Sequence, residues 1–299
     1  MMPHIYDIAF VGNYTKDTIV SAAGTRIVDG GAFNYGAHVA VQMGLRTAAI
    51  TRLAAEDWHV VEALARLGID VFAEATPHST CLRLEYPTSN VDERIIYVAS
   101  TAGSLIPQQV APVSARVFVV GASFRGEVGL DLFQELATKD ALIATDVQGF
   151  VRVVRDGRLV FESWPDNHAI LAHVDILKAD AVEAEILTGE TEIHRAAQAL
   201  AGLGPGEIVL THRGGLLVYA SGQFYEAGFF PAQLIGRSGR GDTCLAAYVA
   251  RRLISPPAEA TVWAAAATSL KMEAEGPFRR DPGDVEALIR HKYLQEPRG

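Results

Sequence analysis

In Ile235-Gly236-Arg237-Ser238-Gly239-Arg240-Gly241-Asp242-Thr243, two glycines stand directly before the alanine-rich apolar run Cys244-Leu245-Ala246-Ala247-Tyr248-Val249-Ala250. That run favours a helix. Glycines ahead of it let backbone N–H groups turn toward one point with no Cβ in the way. The first N–H groups of a helix are unpaired and carry the positive end of its dipole, so that point attracts an anion. Arg237 and Arg240 add positive charge, and Asp242 in the first turn lies within reach of whatever attacks a bound phosphate. The same letters also describe a capped helix after an ordinary turn, so the rest of the chain has to decide between the two.

With 299 residues, 49% of them apolar, the chain is long enough for one large α/β domain with a small appendage. A net charge of −9 without any Lys/Arg block argues against general nucleic-acid binding. An acidic protein that binds an anion must gather positive potential locally, as the arginines near Gly239 would. Two cysteines, Cys81 and Cys244, far apart in apolar settings, point to a reducing compartment and away from disulfides or a thiolate metal site. The nine histidines include no pair at metal-ligand spacing. No apolar run reaches membrane-spanning length and the first residues carry no leader pattern, so a soluble, cytoplasmic protein is expected.

Outward from the loop, short apolar runs alternate with helical stretches. Ile5 to Val11 reads as a central strand ending at Gly12, with polar Asn13, Thr15 and Asp17 beyond its carboxyl end, where α/β sheets bind ligands. Gly30-Gly31 precedes a helix from Ala32 to Met43. Further strands are expected at Thr47 to Leu53, Val71 to Ala75, Arg116 to Gly121, Ala141 to Asp146, Val174 to Lys178, Glu207 to Thr211, Leu216 to Ala220 and Gln223 to Ala227. Helices are expected near Asp57 to Leu67 and Leu130 to Ala137, then from Asp242 to Leu253, Pro257 to Glu273 and Gly283 to His291. From Thr80 to Ala99 the alternation instead reads as a hairpin turning at Pro87 to Asp92, a lid candidate joined by segments around Thr18 to Val28. Asp180 and Glu183, three apart, form either a water-bridged Mg²⁺ site or an acidic first helical turn.

Taken in order, these features resemble the ribokinase (PfkB) family of carbohydrate and nucleoside kinases. Gly239-Arg240-Gly241-Asp242 is similar to its late Gly-x-Gly-Asp signature, and Gly30-Gly31-Ala32 to its early glycine pair. Gly12 and Asp17 match its first-strand segment, Asp180-Ala181-Val182-Glu183 its Asn-x-x-Glu, and Thr211 its Thr-x-Gly. The resemblance implies a doubly wound, mostly parallel α/β sheet in one kinase domain over residues 1–299, with a small β lid from about 14–30 and 78–100. It implies ATP and Mg²⁺ as cofactors and a small polyol or sugar as acceptor. Asp242 would be the catalytic base, near an ordinary carboxylate pKa of about 3.9, with Gly239, Arg240 and Gly241 holding the transferring phosphoryl group. Asp17, Asn13, Thr15, Gly30, Gly31, Asn34, Tyr35 and Gln148 would bind the acceptor together with Asp242. Lys178, Asp180, Thr211, Arg213, Gly214 and Arg237 would line the donor site, and Glu183 would hold Mg²⁺ through water. Lid sheets of the family pair between subunits, which implies a homodimer.

The departures are also specific. Gly236-Arg237 replaces the usual Asp-Thr, Arg240 the small residue between the glycines, and Arg213 the glycine of Thr-x-Gly. Tyr35 stands where many members have an asparagine, with Asn34 one position early. Val11-Gly12-Asn13-Tyr14 and Asp146-Val147-Gln148-Gly149-Phe150-Val151-Arg152 are most similar to the branch containing myo-inositol kinases. Two other readings stay open: a nucleoside kinase with an aromatic slot at Tyr14, Phe33 and Tyr35, and a catalytically silent sugar- or nucleotide-binding regulator.

Overall fold

The computed structural model describes residues 6–22, 24–88, 94–236 and 238–294. Strand β1 (Ile8–Val11) is buried on both faces, as a continuous apolar run in a parallel sheet must be. Ile8 and Phe10 face one helical layer, Ala9 and Val11 the other. From β1 the chain runs through β2 (Thr15–Ser21) and β3 (Gly24–Gly30) into α1 (Ala32–Gln42), then returns beside β1 as β4 (Thr47–Ala54). Helix α2 (His59–Arg66) leads to β5 (Asp70–Thr76) at the edge. After β6 (Thr80–Glu85), β7 (Ile95–Ser100) and α3 (Pro107–Val110), strand β8 (Val117–Val120) pairs with the other side of β1.

The sheet then grows outward on that side. Helix α4 (Leu130–Ala137) precedes β9 (Leu142–Asp146), followed by α5 (Gln148–Val151), β10 (Arg152–Arg155), β11 (Arg158–Phe161) and α6 (Asn167–Leu171). Next come β12 (Ile176–Asp180), α7 (Ala181–Thr188), α8 (Ile193–Ala201) and β13 (Glu207–Thr211). Antiparallel β14 (Gly215–Ala220) and β15 (Gln223–Gly228) close the edge, before α9 (Arg240–Arg252), α10 (Pro257–Met272) and α11 (Pro282–Lys292). The order is β15-β14-β13-β12-β9-β8-β1-β4-β5, parallel from β13 to β5. Apolar residues of α1, α2, α9, α10 and α11 cover one face, those of α4, α6 and α8 the other. No helix among the described residues is long and apolar enough to cross a membrane.

The direction of growth reverses between β1 and β8, the point where open α/β sheets leave a crevice beyond their carboxyl ends. Asn13, Asp146, Asp180 and Thr211 all stand at those ends.

The second sheet has six strands, ordered β10-β11-β7-β6-β2-β3. Four of them fall within the expected lid segments, although part of the β6–β7 turn, 89–93, lies outside the described residues. The β10–β11 pair is an addition. Its turn is Asp156-Gly157, both at positive φ (48° and 75°), and Asp-Gly between apolar strands is a strong hairpin signal. Several boundaries also moved. β12 runs on to Asp180, because Ala179 and Asp180 continue the pairing with Leu210 and Thr211 of β13. Helix α9 starts at Arg240 rather than Asp242, because Gly239 at φ 75° makes the break.

Candidate active site

Helix α9 opens with Arg240, Gly241 and Asp242 in its first turn, where N–H groups lack helical acceptors. Two close approaches explain the glycines. The Tyr35 ring fills the space a Cβ on Gly239 would need, and the Lys178 ammonium would stand 2.9 Å from one on Gly241. The loop is therefore pressed between the start of α1 and the carboxyl end of β12. Arg237 lies outside the described residues.

On one side of Asp242 the charges are cationic and paired. Lys178 Nζ lies 2.8 Å from Asp146 Oδ2 and 3.5 Å from Glu183 Oε2, and Arg152 lies 3.7 Å from Glu183 Oε1. Burial lowers the Lys178 pKa, but Asp146 and Glu183 outweigh it and hold the pKa above the usual lysine range. Asp180 and Glu183 form a reciprocal cap on α7. Glu183 N donates to Asp180 Oδ1 at 2.8 Å, and Asp180 N to Glu183 Oε2 at 2.8 Å.

Glu183, expected to hold Mg²⁺ through water, keeps Oε1 buried and without a hydrogen-bond partner among the described residues, an oxygen that such a water would satisfy. The residue is fully buried, with a lysine and an arginine already facing its two oxygens. No group of three His, Cys, Asp or Glu able to hold a metal occurs among the described residues. Further along the sheet, Thr211 is buried at the end of β13, whereas Arg213 and Gly214 are exposed in the following turn.

Asp242 also acts electrostatically on Asp17 and Tyr35, two of the side chains with unpartnered oxygens. Asn13 Oδ1, Asp17 Oδ1 and Tyr35 Oη are buried and accept or donate no hydrogen bond among the described residues. The Asn13 amide is fixed: Nδ2 donates to Gly103 O at 2.8 Å and to Glu127 Oε1 at 2.9 Å, which leaves Oδ1 as an acceptor. Buried Glu127 also accepts from Thr80 Oγ1 of β6 and from Ser123 N, so it ties the end of β1 to the second sheet. No sequence pattern marked Glu127, because its partner Asn13 is 114 residues away.

Burial pushes the Asp17 carboxyl up to about 6, with Asp242 and Asp29 adding to the rise while Thr15 and Arg94 oppose it. Thr15 and Asp17 also fill the space beside Gly30, and the Asn13 carbonyl that beside Gly31. Asn34 and Tyr35 divide as their positions suggest. The Asn34 amide is used locally on Asp29 O at 3.2 Å, and Tyr35 keeps its hydroxyl for the cleft. Gln148 is half-buried at the start of α5, its N–H on Asp146 Oδ1 at 2.9 Å.

Two expectations change here. Burial raises the Asp242 pKa above the ordinary carboxylate value, although Lys178 and Arg152 oppose the rise. The aromatic slot for a nucleobase does not form, because Tyr14 and Phe33 are core residues at 0% and 1% exposure. Tyr14 instead donates to Asp29 Oδ1 at 2.6 Å.

Unpaired N–H groups at a helix mouth, a carboxylate in its first turn and buried, unpartnered oxygens beyond the strand ends at the topological switch point define a phosphoryl-transferring α/β enzyme with an alcohol acceptor. Residues 5–277 match the family model described as pfkB family carbohydrate kinase, and this chain belongs to that family. It is a carbohydrate kinase, and the reading as a silent binding protein falls. No curated protein matches it.

Among solved structures it is similar to a pyrophosphate-dependent kinase of the ribokinase family complexed with a pyrophosphate analogue and myo-inositol. Identity is 32% over 94% of this chain and 99% of that one, with a TM-score of 0.86. A pyrophosphate-dependent myo-inositol-1 kinase converted by two substitutions into a myo-inositol-3 kinase is 31% identical over 96% and 100%, TM-score 0.86. Arabidopsis thaliana ribokinase, complexed with ribose and ATP, shares the fold at 18% identity over 96% and 99%, TM-score 0.78.

Proposed function

We propose that this chain transfers a phosphoryl group from pyrophosphate to one hydroxyl of a small polyol, with myo-inositol the leading acceptor. The observation that carries the reading is Asp242 in the first turn of α9, near enough to act on Asp17 and Tyr35, which have unpartnered oxygens, and to be acted on by Lys178 and Arg152. The polyol donates hydroxyl hydrogens to Asp17 Oδ1 and Asn13 Oδ1, and Tyr35 Oη is free to join them. Asp242 orients the attacking hydroxyl and takes its proton as the new O–P bond forms. The bond from that phosphorus to the bridging oxygen breaks, and orthophosphate leaves. Backbone N–H groups of Arg240, Gly241 and Asp242 meet the charge spreading over the phosphoryl oxygens, and Lys178 balances the leaving phosphate. The second sheet acts as the lid that excludes water, since water would otherwise take the phosphoryl group.

Pyrophosphate is preferred over ATP as donor for two reasons. The pyrophosphate-dependent relatives are about one-third identical over nearly the whole chain, while the ATP-bound ribokinase supports the fold alone. The donor side also presents buried cations suited to a compact polyanion. Phosphorus NMR with pyrophosphate or ATP against inositols, hexoses and nucleosides tests this. The expected result is an inositol phosphate from pyrophosphate, with kcat/KM at least about tenfold above that with ATP. Turnover with ATP while pyrophosphate is inert overturns the donor assignment, and phosphorylation of nucleosides alone overturns the acceptor.

Asp17 makes the acceptor step pH-dependent. Its raised pKa means that protonation, near pH 6, removes the charged acceptor that the polyol hydroxyls need. kcat/KM for the polyol therefore falls about tenfold per unit below that point and levels off above it. Asp17→Asn should lower the plateau and abolish this limb; a profile identical to the parent's would show that another group titrates.

A further inference from the structure

Arg152 is a charged side chain that no step above uses. It is the first residue of β10, a strand of the second sheet, yet its guanidinium reaches the donor-side cluster, 3.7 Å from Glu183 Oε1. The side chain is 13% exposed and lies over the Phe161 ring at 5.8 Å, Phe161 being its register partner on β11. Among the described residues the guanidinium makes no hydrogen bond, although it carries five N–H donors in a planar fork. Burial in such a place is costly without an anion. Glu183 at 3.7 Å is beyond hydrogen-bonding distance and does not satisfy the fork.

The backbone beneath it is well anchored. Arg125 N donates to Arg152 O at 2.8 Å, and Arg125 Nε to Phe150 O at 2.6 Å. Phe150 stacks on Trp164 with centroids 4.0 Å apart and planes 5° from parallel. Six residues earlier in the chain, Asp146 holds Lys178, so α5 is a short bend that returns the chain to the same cluster from the lid side. Arg152 also faces Asp242 closely enough to oppose the rise in its pKa.

From this juxtaposition we infer that Arg152 is a catalytic residue, the lid sheet's contribution to the transferring phosphoryl group. The inference rests on the kinase reading above and extends it. As the bond to the bridging oxygen breaks and the bond from the acceptor oxygen forms, charge spreads over the three equatorial oxygens. Two N–H groups of one guanidinium span two of them, on the face opposite the α9 amides. The acceptor proton still passes to Asp242, and orthophosphate still leaves. Because the same strand belongs to the lid, closing over the polyol and completing the charge clamp become a single event.

The test compares the parent with Arg152→Met and Arg152→Lys, using myo-inositol and pyrophosphate. Arg152→Met should lower kcat at least about a hundredfold, with KM for the polyol within about threefold, and added guanidinium chloride should restore part of the rate. Arg152→Lys keeps the charge without the fork and should lose at least about tenfold. Methylenediphosphonate should bind at least about tenfold more weakly to both variants by calorimetry. A kcat within threefold of the parent's in Arg152→Lys, or no guanidinium response in a folded Arg152→Met, overturns the inference alone. A parent that turns over neither pyrophosphate nor ATP with any polyol overturns the kinase reading, and this inference with it.

Discussion

Asp242→Asn should lower kcat at least about a hundredfold while raising the melting temperature. The side chains are nearly isosteric, so the amides of α9 and the packing of Tyr35 on Gly239 persist. What is lost is the proton acceptor, a function worth roughly two to four powers of ten, or about 2.7 kcal/mol at the lower end. Affinity for the polyol and for methylenediphosphonate should stay within about threefold of the parent's. The stability gain follows from the sign of the pKa shift. Burial raises the Asp242 pKa in the folded chain, so the ionised carboxylate disfavours folding above that pKa, and the penalty disappears below the unfolded value near 3.9. The amide removes the penalty at neutral pH. Lost activity with gained stability is what a site built for chemistry predicts. Unchanged turnover would remove Asp242 from its role, and a fall in both quantities would make it a structural residue.

Lys178→Met should be the most destabilising change at the site. It deletes the ammonium 2.8 Å from Asp146 and 3.5 Å from Glu183 and leaves two buried carboxylates facing each other. Breaking one side of a buried ion pair costs about 3–5 kcal/mol, roughly 10 °C in melting temperature for a chain of this size. Desolvation already raises both carboxyl pKa values, with Lys178 opposing it. Without the lysine they rise further, so the deficit is full above those values and shrinks as pH falls through them. The melting deficit against the parent should therefore be smaller at acid pH than at about pH 8. Adding Asp146→Asn should recover part of the stability and none of the phosphoryl transfer, since the positive charge at the donor is still missing. A variant melting within about 2 °C of the parent would mean that the ammonium does not compensate the two acids.

How much was legible depended on distance along the chain. Gly239, Gly241 and Asp242 are local: glycines before an apolar helix and an acid in its first turn offer an anion-binding mouth, and the other motifs along the chain decide for it over an ordinary capped helix. Asp180 and Glu183 were legible as a pair three apart, and the structure uses them as a reciprocal cap, with Lys178 and Arg152 beside Glu183 and its Oε1 left without a hydrogen bond. Arg152 and Glu127 were not legible as site residues. Arg152 arrives through a hairpin whose Asp156-Gly157 turn was in the letters but whose pairing with β7 was not. Glu127 acts through Asn13 and Thr80, far away in the chain.

By itself the sequence determined the parallel α/β sheet, its order of strands and helices along the chain, the kinase family and the acid at the helix mouth. The sheet, the element order and the acid follow from apolar periodicity or from residues within one turn of each other, and the family from the resemblance of several short motifs taken in order along the chain. Only the tertiary structure decided which charges face which. It paired Lys178 with Asp146, left Asn13, Asp17 and Tyr35 with unpartnered oxygens, raised the pKa values of Asp17 and Asp242, and closed the aromatic slot by burying Tyr14 and Phe33. The reason is that desolvation and Coulomb energy depend on separations in space, and the fold brings together strand ends and a helix mouth that lie up to hundreds of residues apart in the chain.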